Sequence, residues 1–333
     1  MLRIVFFGTP DFAVRSLEAL LDSSHQVVGV VTQPDRPRGR GQKVSAAPVK
    51  ARAELADVPV WQPDRLKGDA FLDAMRALAP DLGVVAAYGK LLPEVLLAIP
   101  RLGMINVHAS LLPRHRGAAP IQRAILDGDR ETGVTIMRVV KALDAGAMLA
   151  TRATPIDPHE TAGALEDRLA RLGAALLVDT LDPLERGVVV ETPQDEAAVT
   201  YAGRIAKPDG LVAWDVPARV IHDKVRGLTP WPHAYTFQHD VRYVLHESRP
   251  FDSPAAAWQA TGLADASAAA TYAPTPGVVL PAPRGHLFVA AGEGTVLEIL
   301  RLQEDGRRVL TARELLAGRP MPAGVAFAST DPA

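Results

Sequence analysis

Two hydrophobic periods alternate through the first two hundred residues, and this limits the fold more than any other feature of the chain. Residues 2–7 (LRIVFF) are a short apolar run closed by Gly8, the pattern of a parallel strand buried on both faces. Residues 11–22 follow at helical spacing, with Val14, Leu17, Leu20 and Leu21 on one face and Asp11 placed as the N-cap. The grammar continues as strand 26–32, helix 66–79, strand 82–89, a short helix 93–99 opened by Pro93, strand 103–110 and helix 119–128. Strands 133–140 and 146–156 come next, then a long helix 161–181 that ends before the proline of LDPLERG. Strand alternating with helix predicts an α/β unit, a Rossmann-like and mostly parallel sheet covered on both faces.

Beyond about residue 203 the pattern changes. RYVLHES, GHLFVAA and TVLEILRLQ are short strand candidates separated by Gly and Pro turns, with one helical candidate at 216–226. These predict a smaller all-β barrel or sandwich, in keeping with the two domains expected of 333 residues. Residues 253–276, rich in Ala, Ser, Pro and Thr and without clear period, read as a long mobile insertion in it. Cysteine is absent, which removes disulfides, thiolate metal sites and cysteine nucleophiles. No run approaches eighteen apolar residues, and the apolar start MLRIVFF is too short for a secretory signal, so a cytoplasmic protein with no membrane contact is expected.

The candidate chemistry centres on Met104–Ser110 (MINVHAS). Alternate residues of a strand share a face, so Asn106 and His108 point together while Ile105 and Val107 point the other way. Two polar side chains at the carboxyl end of an apolar strand suit the crevice where open α/β sheets bind ligands. The bland alternative is a pair satisfied by loop backbone. The following SLLPRHRGAAP must be a defined loop, and Leu143-Asp144-Ala145-Gly146 places a carboxylate on another sheet-end loop. Meeting His108 there, Asp144 would orient it and favour its charge. Taken alone, an Asp-x-Gly is usually only a turn.

Other signals narrow the class. Gly8-Thr9-Pro10-Asp11 lacks the glycines of a dinucleotide loop, which disfavours a nicotinamide dehydrogenase. The nine histidines lack metal spacing, and His222, His233, His239, His246 and His286 read as surface or structural. The whole chain carries a net charge of −2, yet from Gln33 to Arg52 there are six bases and one acid. Arginines set among Gly and Pro make a flexible basic loop, either solvated or a contact for a phosphate backbone.

GTPDFA, TQPDRPRGRGQK, AAYGKLLP, INVHASLLPRHRGAAPIQRAILDGD, TGVTIM and LDAGAML together resemble the methionyl-tRNA formyltransferase family. KPDGLVAWD, VRGLTPWPHAYT and TARELLAGRP resemble that family's C-terminal domain, so nearly the whole chain is covered. The resemblance implies the formyltransferase fold, with a catalytic domain at 1–188, a linker at 189–206, an OB-like tRNA-binding β-barrel at 207–320 and a tail at 321–333. It implies Asn106, His108 and Asp144 as the catalytic trio. The donor would be 10-formyltetrahydrofolate, held by Ser110, Leu111, Leu112 and Pro113 with Tyr88 and Leu92, and no metal is needed. Arg36, Arg38, Arg40 and Lys43 would meet the acceptor, the initiator methionyl-tRNA. A monomer without an obligate protein partner is expected.

Some positions depart from the family pattern: Arg123 replaces a usual aromatic residue, Ala147 a common acid, and the 253–276 insertion is longer. From residue 204 onward there are thirteen bases and thirteen acids, so any tRNA affinity there must come from where charge is placed. The rivals are another formyltransferase with the same donor (glycinamide ribonucleotide or an amino-sugar nucleotide as acceptor), a formyltetrahydrofolate hydrolase, and a non-catalytic RNA-binding protein.

Overall fold

In the computed structural model, residues 1–38, 43–262 and 275–330 are described. Contacts divide them into two units. One comprises residues 1–121, 130–156 and 164–204, the other 122–129, 157–163 and the chain from Ile205 onward.

The first unit is built on β1 (Arg3–Gly8), α1 (Asp11–Leu21), β2 (Gln26–Val31), a hairpin of β3 (Arg36–Arg38) and β4 (Lys43–Ser45), α2 (Pro48–Glu54) and β5 (Val60–Trp61). It continues through α3 (Asp69–Ala77), β6 (Leu82–Ala86), α4 (Glu94–Leu97), β7 (Met104–His108), β8 (Arg116–Gly117), then, after α5 (Pro120–Leu126), which falls largely in the other unit, β9 (Glu131–Arg138), β10 (Met148–Pro155), α6 (Ala162–Glu185) and β11 (Tyr201–Ala202). Its sheet runs β10-β9-β7-β6-β1-β2-β5. From β5 to β7 the strands are parallel, and β9 and β10 complete the sheet antiparallel. The chain winds outward from β1 to β5 and then returns to lay β6 on the other side of β1. A reversal of that kind places a ligand crevice at the carboxyl ends of the strands. Val5, Phe7, Val31, Val85 and Met104 pack on one side of the sheet with Phe71, Met75 and Leu96. Ile4 and Phe6, pointing the other way, are equally buried, which is why β1 reads as an unbroken apolar run.

Several local expectations change. Asp11 is not the cap of α1; Pro10 is, and Asp11 lies in the first turn, where its charge suits the positive helix end. Helix α6 does not stop before Pro183 but carries it in the last turn. Burial of Leu181 and Leu184 offsets the one backbone hydrogen bond that proline forgoes. The basic stretch is not wholly irregular, since Arg36–Arg38 and Lys43–Ser45 pair as an antiparallel hairpin.

The second unit holds α7 (Ala218–Gly227), β12 (Ala234–Gln238), β13 (Val241–Phe251), α8 (Pro254–Ala260), β14 (Phe288–Ala290), β15 (Val296–Glu304), β16 (Leu310–Thr311) and α9 (Ala312–Gly318). Its antiparallel sheet runs β12-β13-β15-β14, with β16 also on β15. Register shifts at Leu245/Glu247 and Glu247/Ser248 bend β13, and bridges such as Phe237–Ala328 and Val278–Ala326 extend the sheet toward barrel closure. Trp214, Tyr243, Leu245, Leu297, Ile299 and Phe327 fill the core with Ile221 and Val225 of α7. Residues 157–163 join this unit because Arg226 donates to the carbonyls of Asp157 (3.3 Å) and Glu160 (3.1 Å).

The expected irregular insertion begins as a helix. Ser253 Oγ caps α8 by accepting from the Ala256 amide (3.2 Å), and Trp258 is buried against Phe288 and Val296 with Nε1 donating to Pro281 O (2.8 Å). One aromatic residue in an alanine-rich stretch supplies the anchor that composition averages away. Residues 263–274 lie outside the described residues. Among the described residues no helix is long and apolar enough to cross a membrane.

Candidate active site

Strand β7 is a central strand, paired on one side with β6 and on the other with β9. Ile105 and Val107 are buried, whereas Asn106 is half-buried and shares with His108 the face that alternation assigns them. No hydrogen bond engages the Asn106 amide among the described residues. His108 is 5% exposed. Its Nε2 lies 3.1 Å from the carbonyl of His115. A carbonyl can only accept, so Nε2 carries a proton, and Nδ1 is the nitrogen turned to Asp144. Nδ1 and Asp144 Oδ2 stand 3.8 Å apart, longer than a hydrogen bond and close enough for the charges to interact. Across the strand, Thr135 holds the next turn of chain. Its Oγ1 donates to Ser110 O (2.7 Å) and accepts from the Leu112 amide (3.1 Å).

Asp144 arrives from the loop between β9 and β10. Its backbone has φ +46°, a left-handed conformation that costs a non-glycine residue roughly 1–2 kcal/mol unless its surroundings hold it. Three hydrogen bonds do so: the Gly117 amide donates to Oδ2 (2.9 Å), and Gln194 Nε2 donates to Asp144 O and to Gly146 O, each at 2.8 Å. Glycine is required beside it, because a Cβ at Gly146 would lie 1.9 Å from the Arg138 carbonyl. Gly117 has φ +129°, and a Cβ there would stand 2.5 Å from Ala202 O.

These supports come from the segment expected to be a linker. Thr192 pairs backbone to backbone with Met148, and Thr200 accepts from the His115 amide through Oγ1 (2.8 Å) and from the Arg116 amide through its carbonyl (2.9 Å). β11 runs parallel to β8. Arg116, only 3% exposed, reaches Gln194 Oε1 through Nε (3.0 Å) and the Glu196 carboxylate through Nη2 (2.8 Å). That guanidinium holds the Glu196 carboxyl below its ordinary range. Polar residues with no helical or strand period give no signal of such bonds in the sequence.

The expected folate residues are placed unevenly. Ser110 is fully buried, its Oγ donating to Arg114 O (2.6 Å); Leu112 is buried, Leu111 is half-buried, and the Leu112–Pro113 bond is cis. Leu92 packs at the edge of the core on the side of the sheet that holds Tyr88. The Tyr88 ring is 1% exposed, edge-on to Phe7, with the hydroxyl pushed up to about 12 by burial. An aromatic following an apolar strand is drawn into the core, so only Tyr88's backbone is left for a ligand. That carbonyl already accepts from Gln33 Nε2 (2.7 Å).

Among the described side chains of the basic stretch, Lys50 and Arg52 are engaged inside the unit. Lys50 pairs with Asp35 (2.6 Å) and Arg52 with Glu18 (3.2 Å). Gln62 also donates to Asp35 (2.8 Å), whose carboxyl is held below the usual range chiefly by the hydrogen bond from Lys50. The single acid of the basic stretch thus anchors the stem of the hairpin. Arg36, Arg38 and Lys43 lie in β3 and β4, and Arg40 lies outside the described residues.

Metal chemistry has one candidate among the described residues, the cluster His25, Asp182 and Glu185. The Leu2 amide donates to His25 Nδ1 (3.1 Å), which puts the ring proton on Nε2 facing Asp182 (3.4 Å). Glu185 pairs with the terminal amino group (2.5 Å), so the three do not present free lone pairs to an ion. His222, buried between Ser248 (3.0 Å) and Pro158 O (3.0 Å), is structural.

The class of protein is formyl transferase, as two family models show. Residues 2–181 match the family model described as "Formyl transferase", and residues 204–320 match "Formyl transferase, C-terminal domain". The methionyl-tRNA formyltransferase of Pelobacter propionicus is 46% identical over 321 residues, covering 96% of this chain and 94% of that one. That of Moorella thermoacetica is 43% identical, covering 97% and 98%. The fold is also that of an N-formyltransferase from Helicobacter canadensis, solved with folinic acid and dTDP-3-aminofucose, at a TM-score of 0.64 and 14% identity, covering 91% of this chain and all of that one. The chain belongs to the methionyl-tRNA formyltransferase family.

Proposed function

We propose that this protein transfers a formyl group from N10 of 10-formyltetrahydrofolate to the α-amino group of initiator methionyl-tRNA, giving N-formylmethionyl-tRNA for the start of translation. The observation that carries the reading is an Asn106 amide left open beside a histidine nitrogen and a carboxylate on the carboxyl edge of the sheet.

The amine nitrogen attacks the formyl carbon and a tetrahedral intermediate forms with negative charge on the former carbonyl oxygen. The Asn106 amide and a protonated His108 Nδ1 donate to that oxygen, while Nε2 stays committed to His115 O. Asp144 faces Nδ1 across 3.8 Å. Its Oδ2 is held by Gly117, and Oδ1 takes the proton lost by the amine, through a water, and returns it to N10 as the C–N10 bond breaks. Atoms and charge balance without a covalent enzyme intermediate, and no metal is called for.

Ser110–Pro113 and Leu92 line the folate site, and the hairpin carrying Arg36, Arg38, Arg40 and Lys43 meets the tRNA acceptor end. Residues 207–320 add tRNA contacts through placed charge. The protein works as a cytoplasmic monomer on these two substrates. The test offers one donor to several acceptors: methionyl-tRNA, glycinamide ribonucleotide, an amino-sugar nucleotide, and water. Formylmethionine as the dominant product supports the reading; formylation of either small acceptor, or formate released at the same rate without tRNA, overturns it.

A further inference from the structure

We propose that Gln194 is a positioning residue for Asp144, and that residues 191–202 form a strap whose task is to set the trio's geometry. The proposal rests on the functional reading above for the role of Asp144, though its geometry stands apart from that reading.

Three consecutive residues touch the site. His115 O accepts from His108 Nε2, Gly117 N donates to Asp144 Oδ2, and Arg116 between them reaches Gln194. The strap holds this stretch through Thr200 and β11, and holds the Asp144 loop through Gln194. Both sides of the His108–Asp144 gap are therefore fixed to one piece of chain. Gln194's amide cannot be turned around without loss: Oε1 must accept from Arg116, and Nε2 then has both hydrogens on the carbonyls of Asp144 and Gly146. Arg116 is itself held by Glu196. A left-handed aspartate keeps its backbone only where neighbours over-determine it, and Gln194 supplies two of the three hydrogen bonds that do so. A glutamine serving only to tie down the chain would need one of these bonds; bracketing the catalytic residue with two is what a positioning role requires.

The test compares wild type with Gln194→Met, which keeps length and packing without donors, and Gln194→Glu, which keeps the acceptor for Arg116 and sets a carboxylate oxygen against two carbonyls. Both variants are expected to lower kcat about 10–100-fold, the order seen when a reacting group is misplaced by an ångström. KM for tRNA and for the folate should stay within about twofold, the split a positioning role produces, with rates read well below the Tm of each variant because the lost hydrogen bonds also cost some stability. Amide hydrogen exchange gives a readout without turnover: residues 144–147 and the Gly117 amide should exchange faster in both variants, with exchange in α1 and β1 unaltered. Wild-type kcat in either folded variant, or wild-type exchange at 117 and 144–147, overturns the proposal. If the wild-type protein makes no formylmethionyl-tRNA, the functional reading fails, and the exchange comparison alone decides the geometry.

Discussion

At the scale of single residues, His108 and Asp144 face each other because the chain between them is fixed from outside. Nε2 is committed to a backbone carbonyl and Asp144 Oδ2 to a backbone amide, which leaves Nδ1, the second carboxylate oxygen and the Asn106 amide for substrate. Removing one donor to an oxyanion costs roughly 3–4 kcal/mol, so Asn106→Ala and His108→Ala should each lower the single-turnover rate about 10²–10³-fold. Equilibrium folate binding should be nearly unchanged; near-normal rates in both variants would take the trio out of the mechanism. Asn106 and His108 were legible in the sequence because strand alternation is a local property. Their meeting with Asp144 was suggested by loops leaving the same sheet edge and by the family resemblance, and what holds Asp144, a glutamine fifty residues later, leaves no local pattern at all. The burial of the Tyr88 ring was not legible either, because a motif gives no account of which side chains the core takes up. With its folded pKa near 12 and an unfolded value of 10.0, the folded state keeps the proton longer, so this group's stabilising contribution declines as pH rises from 10 toward 12. Phenolate absorbance should show a late-titrating ring that Tyr88→Phe removes; the same late fraction in that variant would place the ring elsewhere.

At the scale of elements, the apolar runs of β1, β6 and β7 announced themselves because both faces of the sheet are covered. Helix α6 ran past its apparent stop because side-chain burial outweighed a proline, a comparison that needs the packed structure. The hairpin shows how sequence separates two kinds of base. Lys50 and Arg52 are engaged at its stem by Asp35 and Glu18, while Arg36, Arg38 and Lys43 lie in its two strands and Arg40 lies outside the described residues. Arg40→Ala should raise KM for tRNA and flatten the dependence of log KM on log salt by about one unit for each phosphate no longer neutralised. Lys50→Ala should leave that slope unchanged, and equal slopes in wild type and Arg40→Ala would give the hairpin another role. Helix α8 carries a different expectation from the alanine-rich composition around it. Trp258→Ala should destabilise the second unit by about 3–5 kcal/mol by emptying a buried aromatic site. A denaturation midpoint equal to wild type would show that the helix merely rests on the surface.

At the scale of the whole molecule, a net charge of −2 offers no bulk attraction for RNA, so the proposed tRNA contact depends on where charge is placed. The change of periodicity near residue 203 announces the antiparallel second unit through its short, turn-punctuated strands, but not that residues 122–129 and 157–163 join it. Less legible was the segment before it, which spends its polar groups on the Asp144 loop through Gln194, on Met148 through Thr192 and on His115 and Arg116 through Thr200. The most direct test is a rapid-quench single turnover with enzyme in excess over charged initiator methionyl-tRNA and with saturating 10-formyltetrahydrofolate, run on wild type and on Asp144→Asn. The account predicts formylmethionyl-tRNA formed in step with tetrahydrofolate for wild type, and a rate at least about 10²-fold lower for the variant, as expected when a group acting on the proton in transit is removed. Equal rates in the two proteins, or tetrahydrofolate appearing without formylated tRNA, would contradict it.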